Sequence, residues 1–317
     1  MRARKLPNKV FFWILGIVAS ILLSGCGNEY LVLNPKGPVA ETQYNLIIIS
    51  AILCGIVIIP VLVITAFIVY RYRDTADNKA PYKPEWAHNT LMEVVWWGIP
   101  VIIIALLGYF TVRDVYALKE SPNKEVKPIT IQVTALDWKW MFTYPEQGVA
   151  TVNHLEIPVG VPIHFKVSAD APMNSFWVPQ LAGQVYAMAG MTTDLWIQAD
   201  EPGAYHGKGA NFSGEGFSHM QFTVNAKPQA EFEEWVQQTK QSADAMTKED
   251  YEKLREPGLT EEITYSSFPK GLFEEIVAKY SHGHPMEGMD HSGHESTDAV
   301  QSEHSSHHQM PSTSPSN

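Results

Sequence analysis

Hydrophobic and polar positions divide the chain into an amino-terminal part with long apolar runs and a remainder with short alternating ones. Two uncharged stretches stand out in the first part, 29 residues at 42–70 and 19 residues at 94–112. About 20 apolar residues in a helix are enough to cover the hydrocarbon core of a bilayer. The pattern therefore predicts a transmembrane hairpin within residues 26–127, with helices at about 44–70 and 92–112.

The first 25 residues have the organisation of a secretory signal peptide. A basic start precedes an apolar run over residues 10–23, which is too short to cross a bilayer comfortably. The run ends in Leu23-Ser24-Gly25-Cys26, which resembles a bacterial lipobox. We therefore expect residues 1–25 to be removed and Cys26 to be lipidated, and an uncleaved anchor is the alternative. Because lipidation occurs on the outer face, both mature termini are expected on the outer side of a bacterial inner membrane.

From Pro128 onwards the apolar period changes from helical to alternating. Ile129 and Ile131 alternate with polar residues, and the same two-residue period recurs over 163–168 and 220–225. Short alternating runs separated by Gly/Pro turns are typical of antiparallel sheets. The pattern predicts an all-β sandwich or barrel over residues 128–228.

After the predicted sandwich the pattern becomes helical again. Phe232, Trp235 and Val236 share one helix face, and residues 247–250 have the composition of a helix start. Residues 229–280 are also rich in aromatic side chains. We expect this segment to form a helical extension that packs against the sandwich.

Charge and histidine content change the picture mainly at the carboxyl end. The net charge is −11, and residues 229–317, with 17 acids and 6 bases, carry all of it. No basic face is available for nucleic acid, so a nucleic-acid partner is not expected. Residues 281–317 lack an apolar period and are predicted to be disordered. His291 and His294 are candidate metal ligands in this tail, and a solvated tail with adventitious binding is the alternative.

Four ordered motifs run through the membrane and β segments. They are Asn89-Thr90-Leu91-Met92-Glu93-Val94-Val95-Trp96, Asp137-Trp138-Lys139-Trp140, Ser175-Phe176-Trp177-Val178-Pro179, and the stretch from Gly203-Ala204-Tyr205-His206-Gly207 to His219-Met220. Together with the order of membrane hairpin and outer sandwich, they resemble subunit II of the haem–copper respiratory oxidases, over residues 26 to about 280. The resemblance implies a two-helix transmembrane hairpin, an outer cupredoxin-like Greek-key sandwich and a helical carboxyl-terminal extension.

In the cytochrome c oxidase branch of that family, the sandwich holds a two-copper centre through His, Cys, Glu and Met ligands. By that resemblance, ligands are lost at Asn174, Gly209, Asn211, Ser213 and Phe217, and Met220 is retained. The only two cysteines, Cys26 and Cys54, lie outside the sandwich. Because such copper centres need thiolates, the chain resembles the quinol oxidase branch instead, either ubiquinol or menaquinol.

This resemblance implies a subunit of a proton-pumping terminal oxidase, which couples quinol oxidation to the reduction of oxygen to water. No cofactor is expected in this chain, and haems, copper and quinone are expected in subunit I. The chain would anchor and cap subunit I, with subunits III and IV and membrane lipid as further partners. A lipid-anchored outer-compartment protein that binds metal through the His/Met tail is the alternative. A cytochrome c oxidase subunit II is disfavoured by the lost ligands.

Glu93 lies at the inner end of the second uncharged stretch. In the family, a Glu in this context lies at the mouth of a proton uptake path into subunit I. Thr90 and Glu93 also fit a capping box, in which Glu93 would only satisfy backbone N–H groups of the helix start. Both interpretations stay open from the sequence, and they do not exclude each other.

The second motif contains a pair of tryptophans flanked by charges. Trp138 and Trp140 are expected to pack at the membrane-facing end of the sandwich, because an electron-accepting role has no destination without copper. Asp137 and Lys139 are then expected to contact subunit I.

Overall fold

Two long helices follow the apolar stretches of the amino-terminal part. The computed structural model describes residues 30–76, 78–81, 85 and 88–281. Helix α1 comprises Pro38–Arg71 and helix α2 comprises Thr90–Ala117, and both are long and apolar enough to cross a membrane. Each helix is longer than the predicted 44–70 or 92–112, because the helical conformation continues beyond the apolar runs, mainly at the start of α1 and at the end of α2. α1 begins with a proline at its first position and α2 with the cap Asn89.

A short segment before α1 fixes this helix to the β domain. The backbone N–H of Lys36 donates to the carbonyl of Gln180 at 2.8 Å, and the Lys36 carbonyl accepts from the N–H of Asp200 at 3.0 Å. The next residue, Gly37, lies so close to Gln198 that a Cβ would be 1.9 Å from its carbonyl oxygen. Glycine therefore allows α1 to begin directly at the surface of the β domain.

Eleven strands form two packed sheets in the described part of the chain. They are β1 (Ile129–Leu136), β2 (Lys139–Tyr144), β3 (Val149–Val152), β4 (His154–Pro158), β5 (Ile163–Ala169), β6 (Asn174–Trp177), β7 (Val185–Ala187), β8 (Thr193–Ile197), β9 (Gly203–Gly209), β10 (Gln221–Lys227) and β11 (Ile263–Tyr265). One sheet has the strand order β11-β3-β2-β1-β5-β8, and the other β4-β10-β9-β6-β7. The predicted β-sandwich is confirmed.

Two strand pairs run parallel, so the expectation of an antiparallel sandwich is wrong in this detail. β1 runs parallel to β5, and β4 runs parallel to β10. Parallel neighbours cannot be joined by a tight hairpin, and the chain passes through β2, β3 and β4 before it returns as β5. The alternation of apolar residues along one strand carries no information about such long-range pairing.

The core between the two sheets is formed by the inward-facing positions of the alternating runs. Ile131, Phe165 and Val224 are fully buried there. The rings of Trp140 and Phe176 meet edge to face with centroids 5.3 Å apart, an arrangement that aromatic pairs favour. Burial of this apolar surface is the main stabilising contribution to the domain.

The outer face of the six-stranded sheet is also buried, because the carboxyl-terminal extension covers it. Leu136 on this face packs in one apolar cluster with Leu254 and Ile276 of the extension. The polar Gln132 on the same face donates from Nε2 to Glu274 Oε1 at 3.0 Å. An alternating strand ordinarily leaves its polar face to water, so the covered face is a feature that strand periodicity alone does not reveal.

The extension consists of three helices and strand β11. The helices are α3 (Gln229–Ser242), α4 (Lys248–Arg255) and α5 (Leu272–Tyr280). Phe232 and Val236 are buried on the predicted face of α3, and Thr247 and Asp250 form a capping box that starts α4. β11 pairs with β3. The extension therefore completes the sheet and belongs to the same compact unit as the sandwich.

Candidate functional site

Asn174 lies at the centre of a hydrogen-bonded cluster at one end of the sandwich. Its side chain is buried at the start of β6, and Nδ2 donates to Ser213 Oγ and to Met220 Sδ, each at 3.0 Å. Its Oδ1 accepts from the backbone N–H of Ser175 at 2.7 Å and from that of Asn211 at 3.4 Å. We call these five residues the Asn174 cluster. A single neutral amide thus ties the loop between β9 and β10 to the sheet.

Most of the positions where the family resemblance places lost copper ligands come together in this cluster. Gly209 borders it, because a Cβ there would lie 2.8 Å from Asn174 Oδ1. Its missing side chain leaves room for the Asn174 amide. Phe217 is different, since its ring packs edge to face against Phe212 with centroids 5.7 Å apart. Phe212 is largely exposed.

Trp138 packs against the same loop, between β9 and β10. Its backbone has a φ of +63°, a left-handed conformation that is uncommon for a bulky residue. Its Nε1 donates to the Ser213 carbonyl at 3.0 Å. A Cβ at Gly216 would lie 2.3 Å from the Trp138 ring, so this glycine permits the indole to pack directly on the loop backbone. Trp140, by contrast, is buried in the core between the sheets, and both tryptophans therefore make packing contacts.

The side chains at this end do not match a copper centre. A sulfur-bridged or blue copper site needs a thiolate, and the two cysteines of the sequence, Cys26 and Cys54, lie outside the sandwich. The Met220 thioether already accepts a hydrogen bond from Asn174. Across the described ranges, no three His, Cys, Asp or Glu side chains are grouped so that they could hold a metal ion. The donor set fits neither kind of copper site.

Asp170 is the centre of a second cluster, which was not expected from the sequence. Its buried carboxylate accepts hydrogen bonds from Tyr251 Oη at 2.6 Å, Tyr280 Oη at 2.5 Å and Lys279 Nζ at 2.9 Å. Arg255 Nε lies 2.8 Å from Oδ2. All four partners belong to the extension. We call these five residues the Asp170 cluster, and it fastens helices α4 and α5 to the sandwich.

The environment of Asp170 favours its ionised form. Burial alone would raise the pKa of this carboxyl. The hydrogen bonds from Tyr251, Tyr280 and Lys279, together with the charge of Arg255, outweigh burial and lower the pKa below its ordinary value of 3.8. Burial and the bond to Asp170 in turn raise the pKa of Tyr251, so its hydroxyl stays a donor. A single sequence does not show that these groups will meet. The acid follows a strand, and the cations and tyrosines lie far along the chain.

Lys139, which the sequence places at the surface that meets subunit I, is instead buried within its own chain. Its side chain is buried, and Nζ donates to the carbonyl of Glu256 at 2.6 Å, at the carboxyl end of α4. Burial lowers the pKa of Lys139, while the charges of Asp137 and Glu256 oppose this effect. The ammonium faces the negative end of the helix dipole, so it serves as a further attachment of the extension.

Glu93 is not part of a capping box, so that interpretation is wrong. Asn89 is the cap of α2, and its Oδ1 accepts from the backbone N–H of Met92 at 3.0 Å. The Glu93 carboxylate instead lies against an imidazole, with Oε1 3.2 Å from Nδ1 of His88. The carboxylate is therefore not used by the helix cap. The sequence pattern does not single out His88 as a partner of Glu93, although it lies only five positions before Glu93.

Three sequence-predicted site residues lie outside the described residues. They are the lipidation candidate Cys26 and the metal-ligand candidates His291 and His294. The prediction of a disordered tail concerns residues that, apart from Ser281, also lie outside the described ranges.

Comparisons with known proteins agree on one family. Residues 147–227 match the family described as Cytochrome C oxidase subunit II, periplasmic domain, and residues 240–284 match the COX Aromatic Rich Motif. Quinol oxidase subunit 2 of Bacillus anthracis is 44% identical over 265 residues, 82% of this chain and 91% of that protein. Cytochrome bo(3) ubiquinol oxidase subunit 2 of Pseudomonas putida is 45% identical over 284 residues, 88% of each chain.

One solved structure adds a distant likeness. The crystal structure of the periplasmic domain of subunit II of cytochrome oxidase from Bradyrhizobium japonicum is 20% identical. The match covers 39% of this chain and 97% of that one, with a TM-score of 0.36.

Proposed function

Because the chain belongs to the quinol oxidase subunit 2 family, we propose that it is subunit II of a proton-pumping terminal oxidase that takes its electrons from a membrane quinol. Its relatives are subunits of haem–copper oxidase complexes, so the chain is a membrane-anchored part of an oxidoreductase. The complex oxidises quinol, reduces oxygen to water and moves protons outward. The relatives do not favour the alternative of an independent metal-binding protein.

The Asn174 cluster is the observation that carries this proposal. Its hydrogen bonds to Ser213 and Met220 hold the loop in which the cytochrome c oxidase branch binds copper. The sandwich contributes no thiolate. This chain is therefore a non-redox subunit, and electrons from quinol reach haem and copper within subunit I. The role of the chain is to anchor and cap that subunit, with subunits III and IV as further partners.

Oxygen uptake by the purified complex tests the electron donor. We expect rapid uptake with ubiquinol or menaquinol and none above background with reduced cytochrome c. A matched sample of the complex carrying Asn174→Ala should keep the same donor preference, because the cluster has a structural role. Sustained uptake with reduced cytochrome c in the absence of quinol would overturn the proposal.

We further propose that Glu93 takes up protons for the catalytic subunit. Its carboxylate is partly exposed at the start of α2 and is not used by the helix cap. Glu93→Gln keeps the shape and cannot ionise, so we expect slower quinol oxidase turnover with unchanged assembly. Glu85→Gln, an exposed acid of the same loop, is the control and should turn over normally. Wild-type turnover of Glu93→Gln would remove Glu93 from proton uptake.

The proposed topology places both mature termini on the outer side of the inner membrane. Its support is the junction Leu23-Ser24-Gly25-Cys26, which has the order of an apolar run, small residues and cysteine. Intact mass spectrometry of the mature protein should give a chain that begins at acylated Cys26. A chain that begins at Met1, or one with an unmodified Cys26, would refute the lipidation.

A further inference from the structure

A cavity lies between the first turn of α1 and the segment that follows α2. Its volume is about 290 Å³. One wall is formed by Pro38, Val39 and Thr42 of α1. The opposite wall is formed by the end of α2 and the residues after it, namely Ala117, Leu118 and Pro122. The cavity therefore lies beside those ends of the two helices that are nearer to the β domain.

The uncharged stretches of the two helices give the depth of this cavity in a bilayer. Pro38 comes four residues before the uncharged stretch 42–70, and Ala117 comes five residues after the end of the stretch 94–112. At a rise of 1.5 Å per residue, these separations are about 6 Å and about 7.5 Å. The headgroup layer on each side of the hydrocarbon core is about 5–7 Å thick. Both walls therefore lie at the level of the lipid headgroups.

The cavity has a largely apolar wall and a charged rim. The hydroxyl groups of Thr42 and Ser121 both donate to backbone carbonyls of their own segments, at 2.9 and 2.8 Å, so they are already used within the chain. Glu120 and Lys124 border the cavity with largely exposed side chains, and they form an ion pair with each other. The site therefore matches a ligand that combines an apolar part with one charge of each sign.

The surface around the cavity is typical of a boundary between lipid and water. Tyr109 and Tyr116 are largely exposed on α2, and tyrosine is enriched at this depth of a membrane. Nζ of Lys119 lies 5.3 Å from the centre of the Tyr116 ring, so a second ammonium group is held in the same segment. An amphiphile from the membrane fits this position better than a solute from the aqueous phase.

We propose that this cavity binds one zwitterionic phospholipid, with a phosphate and an amine in its headgroup, from the leaflet on the side of the β domain. The phosphate contacts Nζ of Lys124 and the lipid ammonium contacts the Glu120 carboxylate, in place of the present ion pair. The glycerol and the first acyl carbons fill the space between Val39 and Leu118. The bound lipid thus links the start of α1 to the segment after α2. This inference needs a chain that spans a membrane, and it does not depend on the electron donor of the complex.

Native mass spectrometry of the detergent-purified complex, with phosphatidylethanolamine as the probe, counts the phospholipids that stay bound. Ala117→Trp fills the cavity from an exposed position, and Val115→Trp, at an exposed position outside the cavity, is the control. Wild type and Val115→Trp should each bind one lipid more than Ala117→Trp. Glu120→Gln and Lys124→Gln should each weaken this binding severalfold, whereas Lys127→Gln, which changes an ammonium outside the cavity, should not.

Three results would count against the proposal. Equal lipid counts in Ala117→Trp and Val115→Trp would overturn the site. Phosphatidylglycerol that binds as tightly as phosphatidylethanolamine, with no effect of Glu120→Gln, would overturn the zwitterionic headgroup. A Cys26→Ala complex lacks the expected acyl chains, and phosphatidylethanolamine that enters the cavity only in this variant would identify those chains as the occupant instead. None of these measurements uses oxidase turnover, so a failure of this inference is distinguishable from a failure of the proposed function.

Discussion

Two polar clusters lie close together in the chain, around Asp170 just after β5 and Asn174 at the start of β6, yet they fix different parts of the molecule by different means. The Asp170 cluster is ionic, with one carboxylate that holds two cations and two tyrosines of the extension. The Asn174 cluster is neutral, with one amide that holds a hydroxyl, a thioether and two backbone N–H groups.

The difference shows two ways in which buried polar side chains can attach other segments of the chain to a β-sandwich. In the Asn174 cluster every partner is uncharged, so no buried charge remains to be compensated. The loop that could have carried ligands is fixed by hydrogen bonds and by the Trp138 indole. The Asp170 cluster instead holds a buried charge, which is stable only because its partners surround it. One cluster fixes the loop between β9 and β10, and the other attaches the extension.

Removal of the Asp170 carboxylate should have the largest effect. Asp170→Ala removes the acceptor of Tyr251 and Lys279 and leaves Arg255 paired with Glu252, and loss of one member of a buried ion pair costs about 3–5 kcal/mol. Because both cations are partly exposed, we expect the low end of this range. The free energy of unfolding should decrease by about 3 kcal/mol. Urea unfolding of the detergent-solubilised chain, followed by Trp fluorescence, measures it. Asp194→Ala, which removes an exposed acid paired with His164, is the control and should cost about 0.5 kcal/mol.

The extension should become the first segment to be released in Asp170→Ala. Limited proteolysis should then cut the chain after residue 228 faster than in wild type, while the sandwich stays intact. Equal protection of the extension in both proteins would show that its apolar contacts, and not the Asp170 cluster, hold it in place.

Truncation of Asn174 should have an intermediate effect. Asn174→Ala leaves the N–H groups of Ser175 and Asn211 without their acceptor, and we expect a cost of about 2 kcal/mol for these unsatisfied groups. The same unfolding experiment measures it, with Asn211→Ala as the control, because that side chain makes one long bond to the Met173 carbonyl. Protection of the extension should not change. A simultaneous loosening of the extension would mean that the two clusters are one coupled unit.

A fall in pH should have the smallest effect on stability, and it should act on the Asp170 cluster and not on the Asn174 cluster. The folded-state pKa of Asp170 is lowered, so its stabilisation is complete above the ordinary pKa of 3.8 and is lost as the pH falls through the lower folded value. The wild-type chain should lose this stabilisation as the pH falls below the ordinary pKa of 3.8, whereas Asp170→Asn should show a flatter curve. Asn174→Ala should keep the wild-type slope, and a flattened slope there would contradict the neutral character of its cluster.

Sequence patterns predict the parts of this molecule that depend on local periodicity. The apolar stretches at 42–70 and 94–112 predict α1 and α2, and the alternation from Ile129 onwards predicts the sandwich. Asn174 and Ser213, two of the positions singled out by the family resemblance, are hydrogen-bonded to each other. Each of these signals lies within a few residues of the chain.

The features that the sequence does not reveal depend on contacts between distant segments. The sequence suggests that Lys139 contacts a partner subunit. No local pattern shows that the Glu256 carbonyl will accept its hydrogen bond. Asp170 contacts Tyr251 and Tyr280 across sequence separations of 81 and 110 residues, and no periodic pattern encodes these contacts. The cap of α2 is a local feature for which the sequence suggests Thr90 and the structure shows Asn89. Both are good cap residues, and only the backbone geometry distinguishes them.

The central claim is that this chain carries no redox metal and that the Asn174 cluster stands where the cytochrome c oxidase branch binds copper. Electron paramagnetic resonance of the fully oxidised, purified complex, together with its copper-to-haem ratio, tests this claim most directly. We predict copper only in the amount that the catalytic subunit binds, and no signal from copper bound to thiolate. A copper–thiolate signal, or copper in excess that is lost in a complex carrying Met220→Leu, would contradict the account.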